Sequence, residues 1–171
     1  MQQKLQKIKM ILMDVDGVLT DGGIVFTSAG DEIKKFNIQD GMGITLARQA
    51  GLKTGIITSR VSDMVKRRAE ELKYDVVIQR KTKKIAAYDE IKKQFGFSNE
   101  EICYIGDDLP DLPVLKKCGF SVTVKNGRNE LKNQCDYITE LTGGNGAVRE
   151  VIELILKSQN KFDELIKKYE N

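Results

Sequence analysis

Short apolar runs alternate along the chain with longer stretches in which apolar residues recur every three or four positions. The short runs have the length of buried strands, and the longer stretches have the period of helices that pack on one face. Residues 8–15, 54–58, 75–78, 102–106 and 120–124 are predicted strands, and residues 43–50, 61–72, 83–95, 113–118 and 147–169 are predicted helices. Strands that alternate with helices favour an α/β fold with a mainly parallel sheet flanked by helices.

The segment of residues 20–36 interrupts this alternation. Two short apolar stretches, residues 24–26 and 33–36, flank the turn-forming sequence Thr-Ser-Ala-Gly-Asp, which is typical of a β-hairpin. Little sequence is left between the other elements for a lid, and the chain contains no internal repeat. We therefore predict one domain over residues 1–171, with the hairpin as its insertion and residues 147–171 as a helical tail.

The composition of the chain limits which side chains can take part in catalysis. The chain has no histidine, which excludes catalysis by a Ser-His pair and zinc sites ligated by histidine. Its net charge of +3, from 28 basic against 25 acidic residues, is too small to indicate a nucleic-acid partner. The reactive groups must therefore be carboxylates, lysines, arginines and hydroxyls, with or without a metal ion that prefers oxygen.

The cysteines and the apolar runs indicate the compartment. Three cysteines lie far apart in the sequence, and an odd number without a close pair favours a reducing environment. The apolar runs are much shorter than a membrane span, and Asp14 and Asp16 interrupt the first of them soon after the basic start. We therefore expect a cytoplasmic protein without a membrane or nucleic-acid partner.

Polar side chains suited to metal and phosphate follow three of the predicted strands. They are Asp14 and Asp16 after the first strand, Thr58-Ser59-Arg60 after the second, and Asp107, Asp108 and Asp111 after the fourth. The carboxyl ends of parallel strands meet at one edge of the sheet, where α/β proteins bind their ligands. Crowded carboxylates repel one another unless a cation lies between them. Alone, Asp14 and Asp16 are compatible with a polar loop, and Thr58 and Ser59 with a cap of the following helix. Together the three groups predict a metal and phosphate site.

These groups follow the motif order of a known superfamily. The segment Asp14-Val15-Asp16-Gly17-Val18-Leu19-Thr20 resembles the first motif of the haloacid dehalogenase (HAD) phosphatases, and Thr58 is similar to their second motif. A Lys before the fourth strand is similar to the third motif, and Gly106-Asp107-Asp108-Leu109-Pro110-Asp111 to the fourth. The resemblance implies a Rossmann-like HAD fold and the hydrolysis of phosphomonoesters.

Three further segments narrow the resemblance to a family without a cap domain, the 3-deoxy-D-manno-octulosonate 8-phosphate (KDO 8-phosphate) phosphatases. They are residues 36–43, 56–60 and 143–150. The resemblance implies a Mg²⁺-dependent phosphatase that releases KDO and phosphate in lipopolysaccharide precursor biosynthesis. It also implies a homotetramer in which the hairpins of the subunits meet and neighbouring subunits help to cover the active sites.

The resemblance assigns the central carboxylates. Asp14 is expected to be the nucleophile that forms an aspartyl-phosphate, and Asp16 the acid for the leaving alcohol and the base for the hydrolytic water. The Asp14 carboxylate, the backbone carbonyl of Asp16 and Asp107 are expected to hold Mg²⁺. Asp108 is expected to orient water at the metal, and Asp111 to hold neighbouring groups of the site in position without contacting the substrate.

Thr58 and a lysine are expected to bind the phosphoryl group. Lys84 fits the third motif best, while Lys81 and Lys83 remain rivals within a charged run that solvent exposure would also explain. Arg80 stands where the family usually has Gly, which leaves the shape of this loop open.

Substrate contacts are implied for a larger set of residues. They are Asp16, Asn37, Ile38, Gln39, Asp40, Gly41, Thr45, Ser59, Arg60, Arg68 and Lys84. Arg60 and Arg68 suit a sugar acid phosphate because guanidinium groups bind carboxylate and phosphate through paired hydrogen bonds. Arg68 lies on an apolar helical face, where it could instead extend along that face to water. Ser59 and Thr45 depart from the family's usual Gly and Arg, and Arg149 is open between a structural ion pair and a neighbouring site.

Two alternatives stay open at this point. The substrate could be a related sugar acid phosphate of the sialic acid 9-phosphate type, or the chain could be a non-catalytic oligomerisation module with an HAD fold. The module is disfavoured because a scaffold needs none of the reactive residues. These are Asp14, Asp16, Thr58, Lys84 and Asp107.

Overall fold

The computed structural model describes residues 1–170. Its strands are β1 (Met10–Met13), β2 (Val25–Phe26), β3 (Glu32–Ile33), β4 (Lys53–Ile57), β5 (Val76–Ile78), β6 (Ile102–Gly106), β7 (Phe120–Thr123) and β8 (Tyr137–Ile138). Its helices are α1 (Gln2–Lys7), α2 (Ile38–Gln49), α3 (Asp63–Leu72), α4 (Lys84–Phe95), α5 (Leu112–Leu115), α6 (Asn129–Lys132), α7 (Ala147–Ser158) and α8 (Phe162–Lys167). Short 3₁₀ turns at Asn99–Glu101 and Leu109–Asp111 precede β6 and α5.

Six strands form one parallel sheet in the order β5-β4-β1-β6-β7-β8. The central strand β1 pairs with β4 on one side and β6 on the other, so that Met13 lies beside Ile56 and Ile105. This arrangement confirms the predicted α/β fold with a mainly parallel sheet flanked by helices. Sequence reasoning misses β8, because two residues carry no recognisable period.

Burial from both sides explains the unbroken apolar sequence of β1. Ile11 and Met13 belong to the cluster that includes residues of α2 and α7, whereas Met10 and Leu12 belong to the cluster on the other side, with residues of α4 and α5. A parallel strand covered on both faces needs apolar residues at every position. The strand therefore delivers its next residue, Asp14, to the carboxyl edge of the sheet between the ends of β4 and β6.

The predicted hairpin is present, with shorter strands than the sequence indicates. Strands β2 and β3 form an antiparallel pair in which Val25 lies opposite Ile33. Both residues are exposed, as are Ile24 and Phe26. The hairpin therefore leaves an uncovered apolar surface on the single chain.

Helix α2 begins at Ile38 rather than at residue 43. Asn37 caps it, because its Oδ1 accepts a hydrogen bond from the Gln39 N–H at 2.7 Å. Two glycines in the first turns lower helix propensity and explain why the apolar pattern hides this start. At Gly43 the lack of a side chain lets α7 approach, since a Cβ there would lie 3.0 Å from the Cα of Arg149.

The helical tail consists of two helices, so the prediction of one helix over residues 147–169 is wrong. Helix α7 ends at Ser158 and α8 begins at Phe162. Between them Asn160 has a φ of +56°, which is the left-handed conformation and ends a right-handed helix. Asn171, the last residue of the predicted tail, lies outside the described residues.

Helices α1 and α6 are short, and the apolar pattern of the sequence does not predict them. Between β1 and β4 the described chain forms only the hairpin and α2, as expected for a fold without a cap domain. The six-stranded sheet draws its strands from residues 10 to 138, and the division of the chain into one domain stays a prediction. Within residues 1–170, no helix combines the length and apolar character that crossing a bilayer requires.

Candidate active site

The carboxyl ends of β1, β4 and β6 meet at a cleft of about 200 Å³. Asp14 is placed beside β6 because its N–H donates to the carbonyl oxygen of Ile105 at 3.0 Å. The residues that line the cleft are Asp14, Asp16, Thr58, Ser59, Arg60, Lys84, Asp107, Asp108, Pro110 and Asp111. The three groups that follow separate strands in the sequence therefore do come together in the fold.

Lys84 is the lysine that reaches the centre of the cleft. Its side chain is only 2% exposed, and Nζ lies 2.6 Å from both Asp14 Oδ2 and Asp111 Oδ1. Burial alone would lower the pKa of Lys84, but the charges of the two carboxylates outweigh it and hold the pKa above its ordinary value. Lys81 and Lys83 are exposed, which agrees with the choice of Lys84 for the third motif.

Asp111 anchors the loop after β6. The residue is completely buried, and its Oδ1 accepts from Lys84 and from the hydroxyl of Tyr104, both at 2.6 Å. Its Oδ2 accepts from the backbone N–H groups of Asp107 at 3.1 Å and Asp108 at 3.3 Å. Both oxygens are thus engaged, which is the supporting position expected of Asp111. Tyr104 lies in the predicted strand of residues 102–106, and the apolar pattern of that strand gives no sign of this hydroxyl contact.

Three carboxylates form the candidate metal centre. One ligand atom each of Asp14, Asp107 and Asp111 lies within 4.8 Å of the others. Because the oxygens of Asp111 already accept hydrogen bonds, Asp14 and Asp107 are the carboxylates best placed to bind an ion. A side chain at Gly17 would block this position, since a Cβ there would lie 2.0 Å from Asp107 Oδ2. Hard carboxylate oxygens of this kind fit a small divalent cation such as Mg²⁺.

The electrostatics of these carboxylates also favour a cation. Burial raises the pKa of Asp14 to about 6, with the charge of Lys84 acting against the shift and that of Asp111 adding to it. Burial, together with the charges of Asp111 and Asp14, raises the pKa of Asp107 to about 7. Without an ion the site holds more negative charge than Lys84 neutralises, and a bound divalent cation removes that excess.

The end of β4 supplies hydroxyl groups to the cleft. Thr58 is buried, and its Oγ1 accepts a hydrogen bond from the Arg60 N–H at 3.3 Å. Ser59 donates its hydroxyl to the carbonyl oxygen of Lys81 at 3.2 Å, which joins this strand end to the loop before α4. Ser59 is therefore accommodated where the family usually has Gly.

The hairpin adds two charged residues that sequence reasoning misses. Lys34 forms an ion pair with Asp16 Oδ1, and Glu32 Oε1 lies 2.6 Å from Nη2 of Arg60. Arg60 also approaches Asp16, with 3.8 Å between Nε and Oδ2. Glu32 and Lys34 alternate in the sequence, so they could have been recognised as one charged face of the hairpin, but no local pattern shows that this face meets the end of β1.

Arg68 lies in a second, smaller cavity. The residues that line it are Leu19, Phe36, Asn37, Asp40, Gly41, Ile56, Val65, Arg68, Leu72 and Tyr74. Its guanidinium packs over Gly41, where a Cβ would lie 2.3 Å from Nη2, and Nη1 lies 3.0 Å from Glu71. Within the described chain Arg68 therefore fills an apolar recess and does not line the cleft of Asp14, so its role in substrate binding stays a prediction.

The carboxylate of Asp40 is bonded to the backbone at the start of α7, and its predicted contact with substrate stays a prediction. Its Oδ2 accepts from the Gly146 N–H at 3.2 Å and its Oδ1 from the Arg149 N–H at 3.0 Å. A buried carboxylate at these backbone groups stabilises the N-terminus of α7. The side chain of Arg149 donates a hydrogen bond from Nε to Glu153 Oε1 at 2.6 Å. This contact favours a structural ion pair for Arg149 over a role at a neighbouring site.

The other residues predicted to bind substrate lie around the start of α2. Asn37 joins the helix start to the glycine-rich loop, because its Nδ2 donates to the carbonyl oxygen of Gly144 at 3.3 Å. Ile38 is 82% exposed and Gln39 is also exposed. Thr45 donates its hydroxyl to the carbonyl oxygen of Gly41 at 3.2 Å, within the helix. In the single described chain these residues do not line the cleft of Asp14, and their substrate contacts stay predictions.

The metal-free protein is expected to lose stability as the pH rises from about 4 to about 7. The pKa values of Asp14, about 6, and Asp107, about 7, exceed the value of about 3.9 of an unfolded Asp. The folded state therefore binds more protons in this range, and its free energy of unfolding falls by roughly 4 kcal/mol between about pH 5 and about pH 8 as they are released. Denaturant unfolding at about pH 5 and about pH 8 with EDTA measures this fall, which Mg²⁺ should largely remove.

The chain has no histidine, so no imidazole group contributes to the change in stability over this pH range. Asp107→Asn should show a clearly smaller fall than the unchanged protein. A metal-free protein that is more stable at about pH 8 than at about pH 5 contradicts the prediction.

Comparisons with known proteins find similar phosphatases. A sequence profile of haloacid dehalogenase-like hydrolases matches residues 73–152. The chain is 39% identical over 161 residues to the 3-deoxy-D-manno-octulosonate 8-phosphate phosphatase KdsC of Escherichia coli K12, and the match covers 94% of this chain and 86% of that protein.

Solved structures are similar over nearly the whole chain. The 3-deoxy-D-manno-octulosonate 8-phosphate phosphatase from Moraxella catarrhalis, in complex with a magnesium ion, a phosphate ion and KDO, is 48% identical with a TM-score of 0.96. That match covers 98% of this chain and 97% of the other. The cobalt-bound form of the phosphatase from Haemophilus influenzae is 38% identical with a TM-score of 0.90, and the match covers 93% of each chain.

Proposed function

The chain belongs to the family of KDO 8-phosphate phosphatases among the haloacid dehalogenase-like hydrolases, and we propose that it hydrolyses KDO 8-phosphate to KDO and phosphate. The reaction is Mg²⁺-dependent and belongs to lipopolysaccharide precursor biosynthesis. The observation that carries the proposal is the convergence of Asp14, Lys84 and Asp107 at one cleft within a fold shared with these enzymes over nearly its full length.

The first step is the transfer of the phosphoryl group to Asp14. Its carboxylate attacks phosphorus while the bond from phosphorus to the C8 oxygen of KDO breaks, which forms an aspartyl-phosphate. Asp16 donates a proton to that leaving oxygen. Lys84, held 2.6 Å from Asp14, offsets the negative charge that otherwise keeps a carboxylate away from a phosphate dianion.

The second step releases phosphate. A water molecule gives a proton to the Asp16 carboxylate and attacks phosphorus, which breaks the bond to Asp14 and restores the nucleophile. Thr58, which is buried at the end of β4 and lines the cleft, donates a hydrogen bond to a phosphoryl oxygen. When bound to Asp14, the Asp16 carbonyl and Asp107, Mg²⁺ supplies further charge neutralisation, and Asp108 orients water there.

The substrate class is tested by phosphate release from a panel of phosphomonoesters. The panel contains KDO 8-phosphate, sialic acid 9-phosphate and a hexose phosphate at equal Mg²⁺. The proposed function predicts the highest kcat/KM for KDO 8-phosphate. A higher kcat/KM for sialic acid 9-phosphate would instead support the related sugar acid phosphatase, which the similar proteins do not favour.

We also propose that the protein forms a homotetramer through its hairpins. The hairpin surface, formed by Ile24, Val25, Phe26 and Ile33, is apolar and exposed on the single chain. Exposed apolar clusters of this kind are typical of protein contact sites. Since the cleft has no cap domain, a neighbouring subunit is the expected source of shielding from water.

Phe26→Lys is expected to shift the protein from the tetramer towards monomers. Phe26 is 64% exposed on the hairpin, so the change leaves the fold intact but places a charge in the proposed contact. Size-exclusion chromatography with light scattering measures the mass, and phosphate release at low protein concentration should fall in parallel. Ile138→Lys, on the edge strand β8, is the matched control and should leave the mass unchanged. An unchanged protein that is monomeric and fully active contradicts the tetramer.

We further propose that the protein acts in the cytoplasm. Cys103, Cys118 and Cys135 are all free thiols in the structure, which suits a reducing compartment. Burial raises the pKa of Cys118 and of Cys135 to about 12, so neither thiol is activated. Fractionation of the source cell followed by immunodetection tests this placement.

A further inference from the structure

The cation nearest to the proposed acid, Asp16, comes from the hairpin. Lys34 follows β3, and its Nζ forms an ion pair with Asp16 Oδ1. The side chain of Lys34 is 2% exposed, although it lies next to exposed residues of the same hairpin. A buried ammonium group is retained only when carboxylates compensate for its lost hydration, so this contact is a specific feature of the fold.

This ion pair belongs to a group of four charged side chains, two positive and two negative. Glu32 Oε1 lies 3.6 Å from Lys34 Nζ and 2.6 Å from Nη2 of Arg60. Arg60 Nε in turn lies 3.8 Å from Asp16 Oδ2. Lys34 is therefore within hydrogen-bond distance of Oδ1, whereas Arg60, at 3.8 Å, attracts Oδ2 by charge but is too far away to donate a hydrogen bond to it. Glu32 contacts both cations.

Lys34 acts behind Asp16 rather than in the cleft. Among the described residues, those that line the cleft include Asp16 and Arg60 but not Lys34. An ammonium group is only a hydrogen-bond donor, so the oxygen that it contacts must serve as an acceptor. A protonated Asp16 that keeps this contact must then carry its proton on the other oxygen, Oδ2.

We propose that Lys34 is a positioning residue that selects Oδ2 of Asp16 as the oxygen that gives its proton to the leaving alcohol. The inference rests on the proposed function, in which Asp16 is the acid of the first step. In that step the bond between phosphorus and the leaving oxygen breaks, the proton on Oδ2 passes to that oxygen, and Asp16 is left as a carboxylate. The ion pair thereby links the hairpin to the chemistry at the end of β1.

The test compares two substrates that differ in their need for an acid. The alcohol of KDO 8-phosphate is a poor leaving group that requires a proton, whereas p-nitrophenolate departs from p-nitrophenyl phosphate without one. The ratio kcat/KM reports the steps up to departure of the leaving group, so it isolates this half of the reaction. For Lys34→Met we expect kcat/KM to fall at least about 100-fold for KDO 8-phosphate and less than about 5-fold for p-nitrophenyl phosphate.

Two further variants separate positioning from folding. Lys34→Arg keeps a group that only donates, so it should retain much of the activity that Lys34→Met loses. Lys35→Met removes the neighbouring exposed lysine and should leave both substrates unaffected. If circular dichroism shows that Lys34→Met does not fold, Lys34→Gln takes its place. Its amide oxygen can accept a hydrogen bond, so this side chain no longer forces Oδ1 of Asp16 to be the acceptor.

Equal losses for the two substrates, or no loss for either, would overturn the role of Lys34. Failure of the proposed function is a different result, in which the unchanged protein does not hydrolyse KDO 8-phosphate. In that case the same comparison is made between p-nitrophenyl phosphate and whichever alkyl phosphate the protein does hydrolyse.

Discussion

Asp14→Asn is expected to lower kcat/KM for KDO 8-phosphate by at least about 10⁴-fold, because the amide cannot form the aspartyl-phosphate. The fold should persist, since Lys84 keeps its ion pair with Asp111 at 2.6 Å after the change. The melting temperature of the metal-free variant should therefore lie within a few degrees of that of the unchanged protein. Phosphate release and thermal unfolding, measured on the same preparation, check both expectations.

The matched control for this variant is Asp21→Asn. Asp21 is exposed and lies on the same loop. Within residues 1–170, its carboxylate accepts a hydrogen bond only from the N–H of the nearby Gly23. This variant should keep its activity. Turnover that survives in Asp14→Asn would place the nucleophile elsewhere, and a non-catalytic module predicts no phosphate release from any of the three proteins.

Lys84→Met is expected to impair both catalysis and stability. Phosphate release should fall about 10³-fold, because the cation beside the nucleophile and the phosphoryl group is lost. The free energy of unfolding of the metal-free protein should fall by about 3–5 kcal/mol near neutral pH, because Asp14 and Asp111 are left buried without their partner. Denaturant unfolding measures this loss.

The stability of Lys84→Met should depend on pH in a defined direction. Lys84 acts against the rise that burial causes in the pKa of Asp14, so without this cation Asp14 takes up a proton more readily. The destabilisation should therefore shrink as the pH falls. Lys83→Met is the control, because Lys83 is exposed next to Lys84 and should affect neither activity nor stability appreciably. A destabilisation that is the same at about pH 5 and about pH 8 contradicts the role given to the buried ion pairs.

The parts of the site that sequence reasoning finds are those that depend on local patterns. The unbroken apolar sequence of β1 indicates a strand buried on both faces, and parallel strands bring Asp14, Thr58 and Asp107 to one edge. The choice of Lys84 over Lys81 and Lys83 rests on the resemblance to the family, and the structure places Lys84 in the cleft.

The parts that sequence reasoning misses depend on contacts between distant segments. Lys34 is one of several charged residues on a hairpin, and only the fold shows that it is buried against Asp16. Asp40 has the appearance of a polar residue in a binding loop, yet it bonds the backbone at the start of α7, more than a hundred residues away. The break at Asn160 is likewise invisible in the apolar spacing, which continues across it.

The most direct test of the proposed function is to titrate Mg²⁺ into the metal-free protein with KDO 8-phosphate as substrate. The expected result is no phosphate release above background in EDTA, a rise to a saturating rate as Mg²⁺ is added, and reversal by excess EDTA. A protein that releases no phosphate from KDO 8-phosphate at any Mg²⁺ concentration, while remaining folded, would contradict the proposed function.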